Sequence, residues 1–359
     1  MNSLFKYLII FFLINSPLNA VQIATFYGSL EVDEPVLLKL IESPSFQRLK
    51  YIHQYGVAYY TTHAEEYTRY DHSLGVFAIL RLKNASLEEQ IAGLLHDVSH
   101  TVFSHVGDWI FGKAHRECDY QTSVHSLFLE RYGVGDILKK YHFTIEQILP
   151  LQHLFPRLEQ KAPALCADRI EYNIQGACYQ GFLSYAEAME LLADLQFIEG
   201  DWVSTNPVLM AKLARFSLMM TQQCWGSAAN HLSSEWLAKA ILRAVDLGHI
   251  TFETIHFGID QTVWDLLLHS ADPMIQKLMR GVLETDSHFE FVDAAQADLI
   301  IKGKFRGIDP LILWRGKKTP LTQMDAVFCK DYQSVKEKME KGWSVKIYEP
   351  LEILSESSK

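Results

Sequence analysis

Five of the fifteen histidines in this chain fall within one stretch of thirty residues: His96, His100, His105, His115 and His125. Neutral imidazoles gathered near carboxylates are the usual material of a first-row metal site or of general acid/base chemistry. In LLHDVSHTVFSHVGD, His96 and Asp97 are adjacent at the end of an apolar helical run. Neighbours on an ideal helix diverge by about 100°, but at a last turn both can converge on one ion. Upstream, His72 stands early in YDHSLGVFAILRL; downstream, Asp168 stands in ALCADRIEYNI, and both runs have helical spacing. Three such helices packed side by side would bring His72, His96, Asp97 and Asp168 onto one divalent cation, leaving positions for water and substrate. Two imidazoles and two carboxylates suit Mn, Fe, Co, Ni, Zn and, less well, Mg.

Those helices have recognisable starts. Ser86 with Glu89 forms a capping box ahead of Ile91, Leu94, Leu95 and Val98, and Thr144 with Gln147 and Ser184 with Glu187 repeat the device. Stops are expected at Gly133, Pro150 and Gly200, and two long helices over residues 206–246, interrupted near Trp225-Gly226. The pattern predicts an all-α body over residues 30–284. After residue 285 the runs HFEFV, DLIIKG and WSVKIYEP are short and β-rich, and DYQSVKEKMEKG between them is an amphipathic helix, so residues 285–359 read as a small α+β C-terminal domain. Lys302, Lys304 and Arg306 alternate along one of these runs and share a face if it is a strand, either as a solvated surface or as an anion or partner site.

The chain of 359 residues is 48% hydrophobic and 21% charged, which excludes disorder and a disulfide miniprotein. A net charge of −10 without blocks of like charge argues against coating duplex nucleic acid, while leaving room for a cationic cleft. Cys118, Cys166, Cys178, Cys224 and Cys329 are scattered, odd in number and without a CxxC pair, so neither a zinc knuckle nor a disulfide framework is expected. Residues 1–20, MNSLFKYLIIFFLINSPLNA, look like a secretory signal peptide, implying a secreted or periplasmic mature protein; if the segment is not a signal, the location is cytoplasmic. No later run approaches 18 consecutive apolar residues, so no stable membrane span is expected after cleavage.

The segments FQRLKYIHQYG, YTRYDHSLGVF, LLHDVSHTVFSH and ADRIEYNI, in this order, resemble the HD-domain metal-dependent phosphohydrolases. More narrowly they resemble the branch containing the deoxynucleoside triphosphate triphosphohydrolases, over roughly residues 40–250. The resemblance implies an HD-domain helical bundle and places His72, His96, Asp97 and Asp168 on the metal ligands. It assigns His100 to phosphate-ester chemistry, His105 and Asp108 to contacting phosphate or orienting the acid, and Arg69 to phosphate oxygens. Arg169 and Tyr172 match residues beside the substrate, and Gln54 matches a glutamine that reads the sugar. The implied activity is hydrolysis of a small phosphorylated substrate, a nucleotide, most directly a (deoxy)nucleoside triphosphate cut to nucleoside and triphosphate, with a nucleotidase or phosphodiesterase, or a weakly catalytic nucleotide-binding scaffold, as alternatives. A homo-oligomer is a further expectation of the resemblance.

The chain departs from that branch twice. A second catalytic histidine, in a His-Glu pair, is replaced by Asp119 and Tyr120, leaving Asp119 as a candidate acid and His115, one helical turn earlier, as a candidate substitute. A sugar-binding aspartate eight residues after the last metal ligand is replaced by Gly176.

Overall fold

The helix that carries His72, Arg69–Leu82, begins where Thr68 closes a capping box with Asp71. The threonine hydroxyl accepts the Asp71 N–H, and the Asp71 carboxylate accepts the Thr68 N–H, each at 3.2 Å. Next comes Leu87–Leu95, started by the Ser86 hydroxyl accepting the Glu89 N–H, with His96 as its C-terminal cap. Asp168 sits in the first turn of a third helix, Ala167–Tyr179. Two glycines allow the three to approach: a Cβ at Gly75 would stand 2.3 Å from a Glu171 oxygen, and one at Gly93 would stand 2.3 Å from Leu80 Cδ1. The sequence pattern thus sets each ligand on its helix, and the missing Cβ atoms set the helices against each other.

This computed structural model describes residues 20–62, 65–112 and 120–348. The signal-like residues 1–19, and with them that expectation, lie outside the described residues, as do His115, Cys118 and Asp119. Among the described residues the remaining cysteines are free thiols, and no helix is long and apolar enough to cross a membrane.

The body is helical. Its main core gathers Leu74, Phe77 and Leu80 with Ile91, Leu94, Ile170, Ile174, Leu213 and Phe216. A second core surrounds Ala228–Asp246, whose Trp236, Leu237 and Ile241 pack with Trp264, Ile275 and Met279 of Asp260–Leu268 and Pro273–Leu283. The Thr144/Gln147 and Ser184/Glu187 pairs both form the expected reciprocal hydrogen bonds. The expected interruption near Trp225 is a π-helical turn, Thr221–Trp225, between Pro207–Met220 and Ala228–Asp246.

Short strands supplement this body where helical periodicity does not announce them. Val21–Thr25 and Gly28–Val32 form an antiparallel hairpin, with Val21 opposite Val32. Gly200 does not end a helix: Tyr185–Asp194 stops earlier, and Glu199-Gly200, both at positive φ (49° and 86°), turn the hairpin Gln196–Ile198/Asp201–Ser204. The C-terminal strands form two sheets. Phe289–Phe291 and Leu299–Ile301 flank Trp343–Ile347 antiparallel, whereas Leu311–Trp314 pairs parallel with Asp201–Ser204 of the body and antiparallel with Lys317–Pro320. Phe328 and Tyr332 of the helix Ala326–Lys341 enter the main core.

Two stability predictions follow from this packing. Gly75→Ala forces its new methyl against Glu171, and the expected loss is about 1–3 kcal/mol by overpacking, measurable as a lowered urea midpoint. His125 is buried and held down to about 4 by that burial; its unfolded value is about 6.5. A depressed histidine contributes stability that is complete above pH 6.5 and is lost as pH falls through 4. The Tm gap between wild type and His125→Asn therefore narrows from pH 7 to pH 4, and an unchanging gap refutes the assignment.

Candidate metal centre

The imidazole rings of His72 and His96 meet with Nε2 atoms 3.2 Å apart. Each ring has its other nitrogen committed: His96 Nδ1 donates to the Gly93 carbonyl at 2.7 Å, and His72 Nδ1 to the Glu171 carboxylate. Both Nε2 atoms consequently present lone pairs, and two lone pairs at that separation call for a cation between them. Asp168 Oδ1 lies 3.0 Å from His72 Nε2 and 3.7 Å from His96 Nε2, while Asp97 reaches the same two atoms at 3.6 and 3.5 Å. Ligands about 2.1 Å from one ion, at right angles, are about 3 Å apart. The donor atoms of His72, His96 and Asp168 all lie within 4.8 Å of one another. This set fits a divalent cation; Asp97 stands beside it, outside that cluster, as a candidate fourth donor.

Electrostatics agree with the geometry. Burial disfavours charge on His72, yet Glu171, Asp168 and Asp97 outweigh it and would draw its pKa up to about 10; the centre demands positive charge at that point. Burial likewise opposes ionisation of Asp97, but Arg69 and the surrounding imidazoles hold its carboxylate well below the usual range. Arg69 Nη1 donates to Asp97 Oδ2 at 2.5 Å, and Nε to Ser104 Oγ at 2.9 Å. Arg69 therefore orients a ligand as well as facing the cavity. Behind His72, Glu171 is fully buried and also accepts the Tyr67 hydroxyl at 2.5 Å. An outer carboxylate of this kind fixes the tautomer of a ligating histidine and raises its basicity.

The centre opens into a cavity of about 610 Å³ that receives Gln54, Arg69, His100, His105, Asp108, Arg169 and Tyr172. These residues share the cavity wall with His96, Asp97 and Asp168, while His72 stands buried behind it. The route of His100 differs from the expected helical continuation. Its helix ends at Leu95, and a turn in which the His100 N–H bonds to the Asp97 carbonyl brings its Nε2 to 3.2 Å from Asp97 Oδ1. Burial, then Arg69, pulls His100 down to about 3, so it is a neutral imidazole. Gly176 does not open the cavity: a Cβ there would meet Tyr55 Oη at 3.0 Å and the Phe216 ring at 3.5 Å.

Residues 69–156, which include three of the four donors, match the HD domain family. Over 82% of this chain and 85% of the other, the sequence is 30% identical to the metal-dependent phosphohydrolase cns2 of Cordyceps militaris. The chain belongs to the HD-domain metal-dependent phosphohydrolases. It is also 31% identical to the uncharacterized protein YdhJ of Bacillus subtilis, over 89% of this chain and 97% of that one. Likeness to the deoxynucleoside triphosphate triphosphohydrolase SAMHD1 of Bos taurus is 32% over 142 residues, 34% of this chain and 24% of that one. The fold matches a solved phosphohydrolase from Bacteroides thetaiotaomicron with a TM-score of 0.64 at 15% identity, over 91% of this chain and 99% of that one.

In this HD phosphohydrolase the sequence pattern did not reveal Glu171, although a carboxylate three residues after Asp168 on a helix lies on a neighbouring face. It also passed over Trp225, whose ring meets Tyr172 edge-on at 5.3 Å. Glu171→Gln is expected to weaken metal binding about 10- to 100-fold, and Asp97→Ala to abolish both metal retention and turnover. Competition with a fluorescent chelator measures the first; a fully active Asp97→Ala protein would overturn the metal-centred assignment.

Proposed function

We propose that this enzyme acts on nucleotides through a single divalent ion, cutting (deoxy)nucleoside triphosphates into nucleoside and triphosphate. The observation that carries this reading is the shared cavity: its volume is within the range that encloses a small ligand, and His96, Asp97, Asp168, a clamped guanidinium and two aromatic rings all face it. Arg169 is held by its Nη1 and Nη2 donating to the Ala164 and Gln160 carbonyls, each at 2.7 Å. Nη1 also donates to Cys166 Sγ at 3.4 Å; carbonyls and a thiol do not neutralise the charge, so a fixed cation remains on the cavity wall for phosphate oxygens. Tyr172 and Trp225 offer ring faces to a base.

A divalent ion at the donors would polarise a phosphoryl oxygen and acidify a nearby water. His100, with Nε2–H given to Asp97, leaves a buried Nδ1 lone pair without a partner, placed to accept a proton. On the adjacent wall His105 Nδ1 contacts Asp108 Oδ2 at 3.1 Å. Burial works to raise the Asp108 pKa, but His105 and the Tyr120 N–H outweigh it and keep the carboxylate ionised. This pair orients a half-exposed imidazole that can give a proton to the departing oxygen. The partial likeness to a triphosphohydrolase supports the same substrate class.

A second reading, a nucleotidase or phosphodiesterase, is favoured by the packing of Tyr55 and Phe216 against Gly176, which leaves no room for a sugar-binding carboxylate. Product analysis separates the two. With Mn²⁺, Mg²⁺, Co²⁺ or Ni²⁺ and a panel of nucleoside tri-, di- and monophosphates, intact triphosphate is the expected product; orthophosphate or pyrophosphate alone would transfer the assignment to the second reading.

A further inference from the structure

The cations that alternate at Lys302, Lys304 and Arg306 do not form a strand face. The sheet ends at Ile301, and residues 302–310 run on as an irregular strap that lines the cavity of the metal centre. Three backbone attachments hold this strap, and one ring contact adds to them. Ile301 pairs with Trp343, whose Nε1 donates to the Gly226 carbonyl at 2.9 Å. Gly303 lies directly on Gly226, since a Cβ would come within 2.8 Å of the Gly226 oxygen and 2.9 Å of its Cα. The Arg306 carbonyl accepts the Ser217 hydroxyl at 3.2 Å. Phe305 meanwhile meets Tyr332 edge-on at 5.1 Å, anchoring the strap on the main core. The surface on which Gly303 rests is the end of the π-helical turn that presents Trp225 to Tyr172.

This chain is acidic overall, and most of its buried or half-buried cations are answered by carboxylates or carbonyls. Half-buried Arg306 is an exception: among the described residues its side chain has no ion pair or hydrogen bond. The exposed Lys302 has none either, and both line the cavity. Arg306 lines the same cavity as Tyr172, His96, Asp97 and Asp168. A donor set that takes one phosphoryl group needs no further cations on the cavity wall. A chain of phosphates does.

We propose that the Lys302–Arg306 strap is an anion subsite that holds the non-scissile phosphates of a polyphosphorylated substrate in the cavity it shares with the metal donors. Building on the nucleotide reading above, it narrows the substrate class to nucleoside polyphosphates. The C-terminal segment thereby supplies part of the active site. Its three backbone attachments fix the chain while the Lys302 and Arg306 side chains can follow the phosphates, and the charge-assisted hydrogen bonds they form are strong in a partly enclosed site.

The test uses the full chain and a Lys302→Ala/Arg306→Ala double variant, with inorganic tripolyphosphate and orthophosphate as calorimetric probes. Tripolyphosphate affinity is expected to fall by about 10- to 100-fold, as loss of one or two charge-assisted contacts implies, with orthophosphate affinity nearly unchanged. In turnover, KM for a nucleoside triphosphate rises by a similar factor while hydrolysis of bis(p-nitrophenyl) phosphate is preserved. Wild-type tripolyphosphate affinity in the double variant overturns the subsite. A chain that turns over no nucleotide, yet binds tripolyphosphate through the strap, refutes the nucleotide reading and leaves the anion subsite standing.

Discussion

The centre depends on one buried contact, that between the Glu171 carboxylate and the inner nitrogen of His72. It decides which nitrogen of His72 carries the proton, and so which one can face a cation. Glu171 reaches that nitrogen only because Gly75 has no side chain, which lets Ala167–Tyr179 lie against Arg69–Leu82 with a carboxylate between them. A carboxylate with no access to water is costly unless its oxygens are occupied. The Tyr67 hydroxyl and the His72 ring occupy one of them, coupling the packing of the core to the protonation state of the site. Asp97 is ordered by Arg69, whose guanidinium is in turn held by Ser104.

Burial acts with opposite consequences on chemically similar groups here. His72 and His96 stand among carboxylates and are drawn toward positive charge, whereas His100, close in sequence but beside Arg69, is held neutral. One turn of chain after a helix end therefore separates an imidazole drawn toward positive charge from one held neutral. The cavity adds a further contrast, since Arg169, Lys302, Lys304 and Arg306 gather on the wall of one cleft inside a protein that is acidic overall.

Much of this was legible in the sequence. His72, His96, Asp97 and Asp168 could be placed because each lies beside a capping signal or in a strongly periodic run, and helix ends are where local sequence speaks most directly. Glu171 was not singled out because a carboxylate in a helix usually reads as a solvated charge, and only the Gly75 notch makes it a buried one. The hairpin at Glu199-Gly200 was missed because glycine serves helix stops and β-turns alike. Lys302, Lys304 and Arg306 were noticed as a charged alternation, but their destination depends on Gly303 resting on Gly226, a contact between residues far apart in sequence. His115 and Asp119, weighed as replacements for a second histidine, lie outside the described residues.

The parallel pairing of Asp201–Ser204 with Leu311–Trp314 has a consequence for the order in which the molecule is made. Domains generally fold from the N-terminus during synthesis, and every metal donor has been translated once Asp168 emerges. The strand partner of the body hairpin, the strap across the cavity, and the Phe328 and Tyr332 rings of the main core all arrive more than a hundred residues later. A growing chain thus holds its donor residues on an open, half-covered bundle until the last segment docks, and the enclosed site is a property of the finished polypeptide alone.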